Sequence, residues 1–518
     1  MKYYLGLDNG GTTTKAAIYS QAGKEICVCH EATEVITPGP GLFERDMEEM
    51  WQTNCSVIRQ VIDLSGISPS DISAVACCGH GKGLYLWGKD EKPAYHGILS
   101  ADQRAWKYPE AWAKDQTADK VFNLSCQDII ACQPVSLLAW LKEHQPAVIP
   151  NIQYIFECKD YIRFRLTGEA YGEYTDYSGA NFLNLHTKQY DSALLKLFGL
   201  EELGCCLPQL CTSTDLCGSI TKATAAQTGL AEGTPVAGGM FDIDACALAV
   251  GITNSSQVCM IAGTWSINEY IRSTPVLDKT VSLNSLYCIP DYYLIEESSP
   301  TSAGNNQWFI DTLLPELSQA AQDNGSSIYE TINQWVASLP AEEYCPIFLP
   351  FIMASNTHPN GKGSFVGITA NHTRKHLLKS IYEGVMFSHR WHFERLLKSR
   401  TEPFSCIRLA GGAARSDVWA QMFADCCNLP VEIADIGETG TLGCAVAAAV
   451  AVKDYANYED AIKHMIKIGK RYEPRAEYHE VYNKKYQLYL KIIDSLDSVW
   501  SDIQAYIEES TGRGNAKC

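Results

Sequence analysis

The chain has 518 residues, about twice the length that one hydrophobic core usually organises, so two domains are expected. With 46% hydrophobic and 20% charged residues its composition is that of a globular protein. A formal net charge of -18 argues against a nucleic-acid binder, which would need a basic footprint.

The 21 cysteines occur as adjacent pairs (Cys77-Cys78, Cys205-Cys206, Cys426-Cys427) or singly inside apolar runs, with no CxxC. Reduced thiols packed as small core residues are expected, rather than a disulfide scaffold. Met1-Lys2 opens directly into a strand-like run, so no secretory leader is expected. The longest apolar stretch, 442–452, is too short to span a bilayer. The expected location is the cytoplasm.

In chain order, residues 3–8 read as a strand ending in Asn9-Gly10-Gly11; 14–20 resumes it, Gly23 turns the chain, and 25–30 is a third strand. The run Asp8-Asn9-Gly10-Gly11-Thr12-Thr13-Thr14-Lys15 carries chemistry. A carboxylate at the end of a buried strand is costly unless a cation or donors meet it. Two glycines let the backbone approach a ligand, and three hydroxyls with exposed N–H groups can grip phosphate oxygens. The pattern is neither GxxxxGK[ST] nor GxGxxG; a plain Gly-Gly hairpin with surface threonines is the bland alternative. Asp46, with Glu49 three residues on, predicts a capping box and a helix with Met50, Trp51, Ile58, Val61 and Ile62 on its apolar face. A strand over 72–78 then ends in Gly79-His80-Gly81-Lys82-Gly83. Three strands, a helix and a further strand begin an α/β domain with a mixed sheet.

A strand over 235–237 runs into Gly238-Gly239-Met240-Phe241-Asp242. An aspartate at a strand end beside glycines can accept a proton from a substrate hydroxyl. Asp244 is its competitor, and helix N-capping is the bland role for Asp242; both roles can coexist. The pattern restarts at 257–262 and 265–272, which flank Gly263-Thr264 as a second hairpin and place a boundary near 246–256. A strand over 405–410, the turn Gly411-Gly412 and a helix from Ser416 form a place where a nucleotide can lie against backbone N–H groups. His389 and His392, three apart on a predicted helix, suggest a metal pair, but no third ligand lies near in sequence, so packing is the expected role. Tyr478, Tyr482, Tyr486, Tyr489, Ile493, Leu496 and Trp500 recur at steps of three and four, predicting an amphipathic docking helix.

In their order and spacing these motifs resemble the FGGY carbohydrate kinases, part of the wider group of actin, hexokinase and Hsp70-like ATPases. The resemblance runs from the first strand to about residue 450. It includes Gly41-Leu42-Phe43-Glu44-Arg45-Asp46, Lys159-Asp160-Tyr161, Arg165-Leu166-Thr167-Gly168-Glu169, and Asp176 with Ser178. Further on it includes Ser302-Ala303-Gly304, Phe348-Leu349-Pro350-Phe351, Tyr382-Glu383-Gly384-Val385 and the stretch 411–425.

The resemblance implies an α/β fold of two actin-like (ribonuclease H-like) domains, each a mixed sheet flanked by helices, with a catalytic cleft between them. The N-terminal domain over 1–250 would hold the sugar and the first phosphate hairpin, the C-terminal domain over 251–518 the nucleotide and the second. The implied reaction moves the γ-phosphoryl group of ATP to a sugar hydroxyl with Mg2+. Asp242 would be the general base and Asp8 would orient magnesium. Thr12, Thr13, Thr14, Gly263 and Thr264 would meet the phosphates, and Gly411, Gly412, Ser416 and Gln421 would shape the adenosine side. His80, Lys82, Asp102 and Arg104, with Asp242, would contact the sugar.

Two departures bear on the substrate. Ser100 stands where family members commonly carry a tryptophan, two residues before Asp102. His80-Gly81-Lys82 is neither the glycerol-kinase Gln-Arg-Glu nor the D-xylulose-kinase Gln-Met-His. Gly81-Lys82-Gly83-Leu84, the Leu99-Ser100-x-Asp102-x-Arg104 pattern and Pro134-Val135-Ser136-Leu137-Leu138 look most like L-xylulose kinases. The implied product is L-xylulose 5-phosphate; D-xylulose, L-ribulose and tetritols such as erythritol are the alternative substrates. A non-catalytic sensor of the same fold would carry a damaged Asp8 or Asp242, and both are intact. A chaperone-type ATPase needs a peptide-binding domain, and none is expected here. The expected partners are the sugar and ATP, with no nucleic acid and no membrane; a homodimer is left open.

Overall fold

The structure is a computed structural model and describes residues 2–514. The chain separates into two compact units. The first comprises Met1–Asn254, Ile271–Ile295 and Ala434–Lys467; the second comprises Ser255–Tyr270, Glu296–Ile433 and Ile468–Cys518.

In the first unit the apolar runs at the start of the chain form antiparallel strands β1 (Tyr3–Asn9), β2 (Thr13–Ser20) and β3 (Glu25–Ala32). The next strand, β4 (Ile72–Gly79), lies on the other side of β1 and parallel to it, with Asp8 opposite Cys78 and Asn9 opposite Gly79. Strands β5 (Leu216–Ser219), β6 (Pro235–Ala237) and β7 (Met240–Phe241) complete a mixed seven-stranded sheet ordered β5-β6-β4-β1-β2-β3, with β7 also on β4. Its central strands read as near-continuous apolar runs because both faces are covered. Helix α1 (Met47–Ser65) packs Trp51, Ile58 and Val61 with Leu5, Leu7 and Ile18. The helix Thr439–Ala451, rich in glycine and alanine, lies close against β1 and β4. Asp46 caps α1 by accepting from the amides of Glu48 and Glu49 at 2.7 and 3.0 Å, a contribution of about 1 kcal/mol. Glu49 does not close the expected box: its carboxylate accepts from Thr53 Oγ1 at 3.0 Å, one turn further on.

The second unit repeats this plan. Strands β8 (Gln257–Ala262) and β9 (Ser266–Arg272) form a hairpin, β10 (Cys406–Gly411) runs parallel to β8 on its other side, and β11 (Val431–Ala434) follows, all within a second seven-stranded sheet. The register sets Ala262 opposite Gly411, so the Gly263-Thr264 turn lies beside Gly411-Gly412, just as Gly10-Gly11 lies beside Gly79-His80 in the first unit. The mixed α/β architecture expected from the sequence is present in both units. The C-terminal helix Ala476–Gly514 buries Tyr482, Tyr486, Tyr489, Ile493 and Trp500, as its spacing predicts. Tyr486 lies 5.8 Å from the Phe387 ring, and Arg390 lies 4.2 Å over it, both on helix α4 (Arg374–Lys398). The cysteines described are all free thiols, most of them buried. Among the described residues no helix is long and apolar enough to cross a membrane.

Candidate active site

The β1–β2 turn closes with the Gly10 amide donating to the Thr13 carbonyl at 3.1 Å. Arg45, fully buried, donates from Nη2 to the carbonyls of Gly10 and Gly11 at 3.3 and 2.6 Å. In a trans peptide the N–H points opposite to the C=O. A cation on the carbonyl side therefore turns the amides of Gly11 and Thr12 away from it, toward any anion on the other side. Thr12 is exposed and Thr13 half-buried, whereas Thr14 is buried with its hydroxyl 3.0 Å from Thr33 Oγ1. Asp8, half-buried, pairs across the hairpin with Lys15 and accepts from the Cys78 thiol at 3.5 Å. Lost hydration pushes its carboxyl above the usual range; the Lys15 ammonium and the Cys78 thiol pull it back. Lys15 is itself bonded to Glu438 at 2.6 Å.

Asp242 is the first residue of helix α3 (Asp242–Ala249), with Phe241 in the capping position. Its half-buried carboxyl is held well above the ordinary carboxylate range, first by burial and then by the charges of Asp8 and Asp176; the Ile243 amide and the Lys82 ammonium oppose this. Asp244 is fully buried and accepts from the Cys288 amide at 3.0 Å. One carboxyl therefore reaches the surface and the other anchors the chain. Lys82 is held at φ 63°, between Gly81 and Gly83, a left-handed conformation costing about 1 kcal/mol in a residue with a side chain. A Cβ on Gly81 would stand 2.4 Å from the Phe241 ring and 2.7 Å from Asp176 Oδ1, so only glycine fits before Lys82. Lys82 Nζ lies 5.4 Å from the centre of the Phe241 ring. His80 is buried with Nε2 2.8 Å from the Tyr85 hydroxyl; burial, and then the Arg45 charge, lower its pKa to about 3, leaving it neutral. Behind this wall the buried Lys159 ammonium lies 2.8 Å from Asp160, 3.0 Å from Asp176 and 3.5 Å from Glu173, which fixes Asp176 in place.

Asp102 and Arg104 are both buried and bonded to each other through Nε and Nη2, at 2.9 and 2.8 Å. Asp102 also accepts from the Phe43 amide at 2.7 Å, and Arg104 Nη1 pairs with Glu44 at 2.8 Å. This knot ties the chain at 43–45 to 102–104 and so braces Arg45 under the glycine turn.

In the second unit a cavity of about 570 Å³ is lined by Gly263 and Thr264 on one side and Gly412 and Ser416 on the other, with Tyr329 and Asn333 among the remaining walls. Gly411 has φ 79°, and a Cβ there would come 2.6 Å from the Ala262 carbonyl. Ser416 caps helix α5 (Asp417–Cys427), accepting from the Trp419 amide at 3.2 Å while its hydroxyl donates to Asn333 Oδ1 at 2.7 Å. Tyr382 stacks on Trp419 at 4.0 Å and donates to the same Asn333 oxygen at 3.1 Å. Gln421 lies outside the cavity lining, with its amide on Asp425 and the Glu473 carbonyl at 2.9 Å each. The cavity is thus walled by glycine on two turns and partly aromatic.

The two helical histidines have separate partners. His389 lies 2.7 Å from Asn268 Oδ1 and 2.9 Å from Ser302 Oγ, and His392 lies 3.3 Å from Glu297 and 2.9 Å from Ser299. Among the described residues no three His, Cys, Asp or Glu side chains cluster as a metal cage. Sequence reasoning gave no role to Arg45, Asn333 or Tyr329. They stand far along the chain from the turns they serve, and no fixed spacing announces them.

Residues 3–249 match the N-terminal domain, and residues 258–452 the C-terminal domain, of the FGGY family of carbohydrate kinases. The chain is 37% identical over 506 residues to the L-xylulose/3-keto-L-gulonate kinase of Escherichia coli (strain K12), covering 98% of this chain and 99% of that one. It is 38% identical over 502 residues to a probable L-xylulose kinase of Pasteurella multocida, covering 96% and 100%. Among solved structures, the ligand-bound xylulose kinase of Lactobacillus acidophilus shares the fold, with a TM-score of 0.87 at 22% identity and coverage of 97% and 100%.

Proposed function

Because the chain belongs to the FGGY family of carbohydrate kinases, and is an ATP-dependent sugar kinase, we propose that its substrate is the ketopentose L-xylulose, phosphorylated at the C5 hydroxyl. The observation that carries the catalytic assignment is the contrast between Asp242 and Asp244: the first carboxyl keeps some exposure, within the fields of Asp8 and Lys82, and the second is buried on the Cys288 amide. Asp242 takes the proton of the attacking hydroxyl. The freed oxygen bonds to the γ-phosphorus of ATP as the bridge to the β-phosphate breaks, and ADP leaves. The amides and hydroxyls of the Gly10–Thr13 turn, held by Arg45, suit phosphate oxygens, and within the second unit the Gly263-Thr264 turn offers a similar set.

Asp8 stands half-buried at the end of β1, next to the Gly10-Gly11 turn, and its carboxyl is a hard oxygen donor of the kind that suits magnesium. Asp8 would hold magnesium, which, when bound, neutralises charge on the β- and γ-phosphates. The adenosine lies against Gly412, Ser416 and Asn333. Lys82, a donor with no acceptor, suits the carbonyl end of a ketose. Asp102 and Arg104 act as the brace that fixes Arg45. The near full-length similarity to L-xylulose kinases supports the choice of sugar, and free thiols together with a need for ATP suit the cytoplasm.

A coupled ADP-release assay over L-xylulose, D-xylulose, L-ribulose and erythritol tests this. L-Xylulose should have the highest kcat/KM, by about tenfold or more. If D-xylulose or erythritol leads by that margin, the kinase stands and the sugar does not.

A further inference from the structure

Glu157 occupies the N-cap position of helix α2 (Cys158–Thr167), yet its side chain makes no capping hydrogen bond. It is 1% exposed, and neither carboxyl oxygen has a hydrogen-bond partner among the described residues. Buried polar atoms are nearly always paired, and an exception calls for a ligand, a water or a function to explain it.

The position of Glu157 supplies that explanation. The Cys158 thiol donates to the Asn9 carbonyl at 3.7 Å, and the same carbonyl accepts from the His80 amide at 3.0 Å, so the start of α2 adjoins the His80-Gly81-Lys82 turn. On the far side of that turn the Gly83 amide donates to the Cys132 carbonyl at 2.7 Å, and the Cys132 thiol lies within the fields of both Lys82 and Glu157. The charges of Lys82 and Asp176 act on Glu157 and on Asp242 alike; Asp8 acts on Asp242, and Lys159 and Asp160 act on Glu157. Lys82 and Asp176 thus lie near both carboxyls.

We propose that Glu157 is a substrate-binding residue, whose two unpartnered carboxyl oxygens work with the Lys82 ammonium to recognise the sugar. The assignment rests on the ketose-kinase reading and deepens it. A ketose end presents a carbonyl, which can only accept, beside hydroxyls, which can donate. Lys82 can only donate, and a carboxyl can accept from a hydroxyl whether or not it carries a proton, so the pair suits that arrangement. A sugar that inverts or lacks the hydroxyl leaves Glu157 buried and unpaired, the circumstance in which hydrogen-bonding sites discriminate most strongly.

The test compares the full-length wild type with E157Q and E157L by coupled ADP release at saturating ATP and magnesium. It uses the sugar the wild type turns over best and its C3 and C4 epimers. E157L should raise the KM for the best sugar about tenfold or more and cut the kcat/KM preference over an epimer by a similar factor, with the KM for ATP within about twofold of wild type. E157Q, which keeps the side-chain volume, should fall between, and it carries the test if E157L does not fold. A structural role would lower thermal stability without changing the preference between epimers. Sugar KM and epimer preference both within about twofold of wild type in E157Q would overturn the assignment. Wild-type turnover of non-ketose sugars alone would instead overturn the substrate reading, and the same variants then show whether Glu157 contacts whichever sugar is used.

Discussion

Exchanging Asp242 for asparagine keeps the shape of the side chain and removes its capacity to take a proton. Loss of a general base costs about 10²–10⁴ in turnover, equivalent to about 2.7–5.4 kcal/mol in the barrier. The fold should not suffer. Burial and the neighbouring charges of Asp8 and Asp176 already disfavour the ionised carboxyl, so Asp242→Asn should unfold at the wild-type temperature or above it. Asp244→Ala should behave in the opposite way. It strips the Cys288 amide of its 3.0 Å acceptor inside the protein, at a cost of about 1–3 kcal/mol in stability, and leaves turnover within a few-fold. Single-turnover and steady-state ADP release, ADP affinity by calorimetry and thermal unfolding separate the two outcomes. A general base must be ionised to act, and the pKa of Asp242 is raised. The acid limb of kcat/KM should therefore lie above the ordinary carboxylate range, with activity falling as pH drops through it. A slow but stable Asp244 variant beside an active Asp242→Asn would refute the assignment of the base.

Asp8→Ala should reduce kcat by about 10² or more at saturating magnesium; full activity there would remove Asp8 from the phosphate chemistry. His389 is buried and neutral, its pKa lowered to about 3 by burial and the nearby His392, against about 6.5 in an unfolded chain. A folded value below the unfolded one gives stability that is fully present above pH 6.5 and is lost as pH falls toward 3. Denaturant unfolding should show His389→Gln closing the gap to wild type by about 2 kcal/mol between pH 7 and pH 5; a gap that does not change with pH would count against this environment.

Much of the fold is legible in the chain because its signals are local. Apolar strands broken by Gly10-Gly11, Gly23 and Gly263-Thr264 announce hairpins through turn chemistry, and the steps of three and four from Tyr482 to Trp500 announce a docked helix. The capping box at Asp46 was half right: the cap depends on adjacent amides, but Glu49 had a competing partner in Thr53.

What the sequence determines by itself is the class of chemistry, since the glycine turns, the Asp8 carboxylate and the Asp242 strand end are each complete within a few consecutive residues. It cannot rank Asp242 over Asp244, because the Cys288 amide that occupies the second lies 44 positions away. Nor can it show that Thr14 turns inward onto Thr33, that Gln421 is held by the Glu473 carbonyl, or that Arg45 orients the Gly10 and Gly11 peptides. Glu157 reads in sequence as one more charge before a helix. Only the packing of that helix against the His80-Lys82 turn removes it from water without giving it a partner. These facts belong to tertiary structure because burial and charge pairing depend on which distant segments meet, and no local pattern of residue types records that.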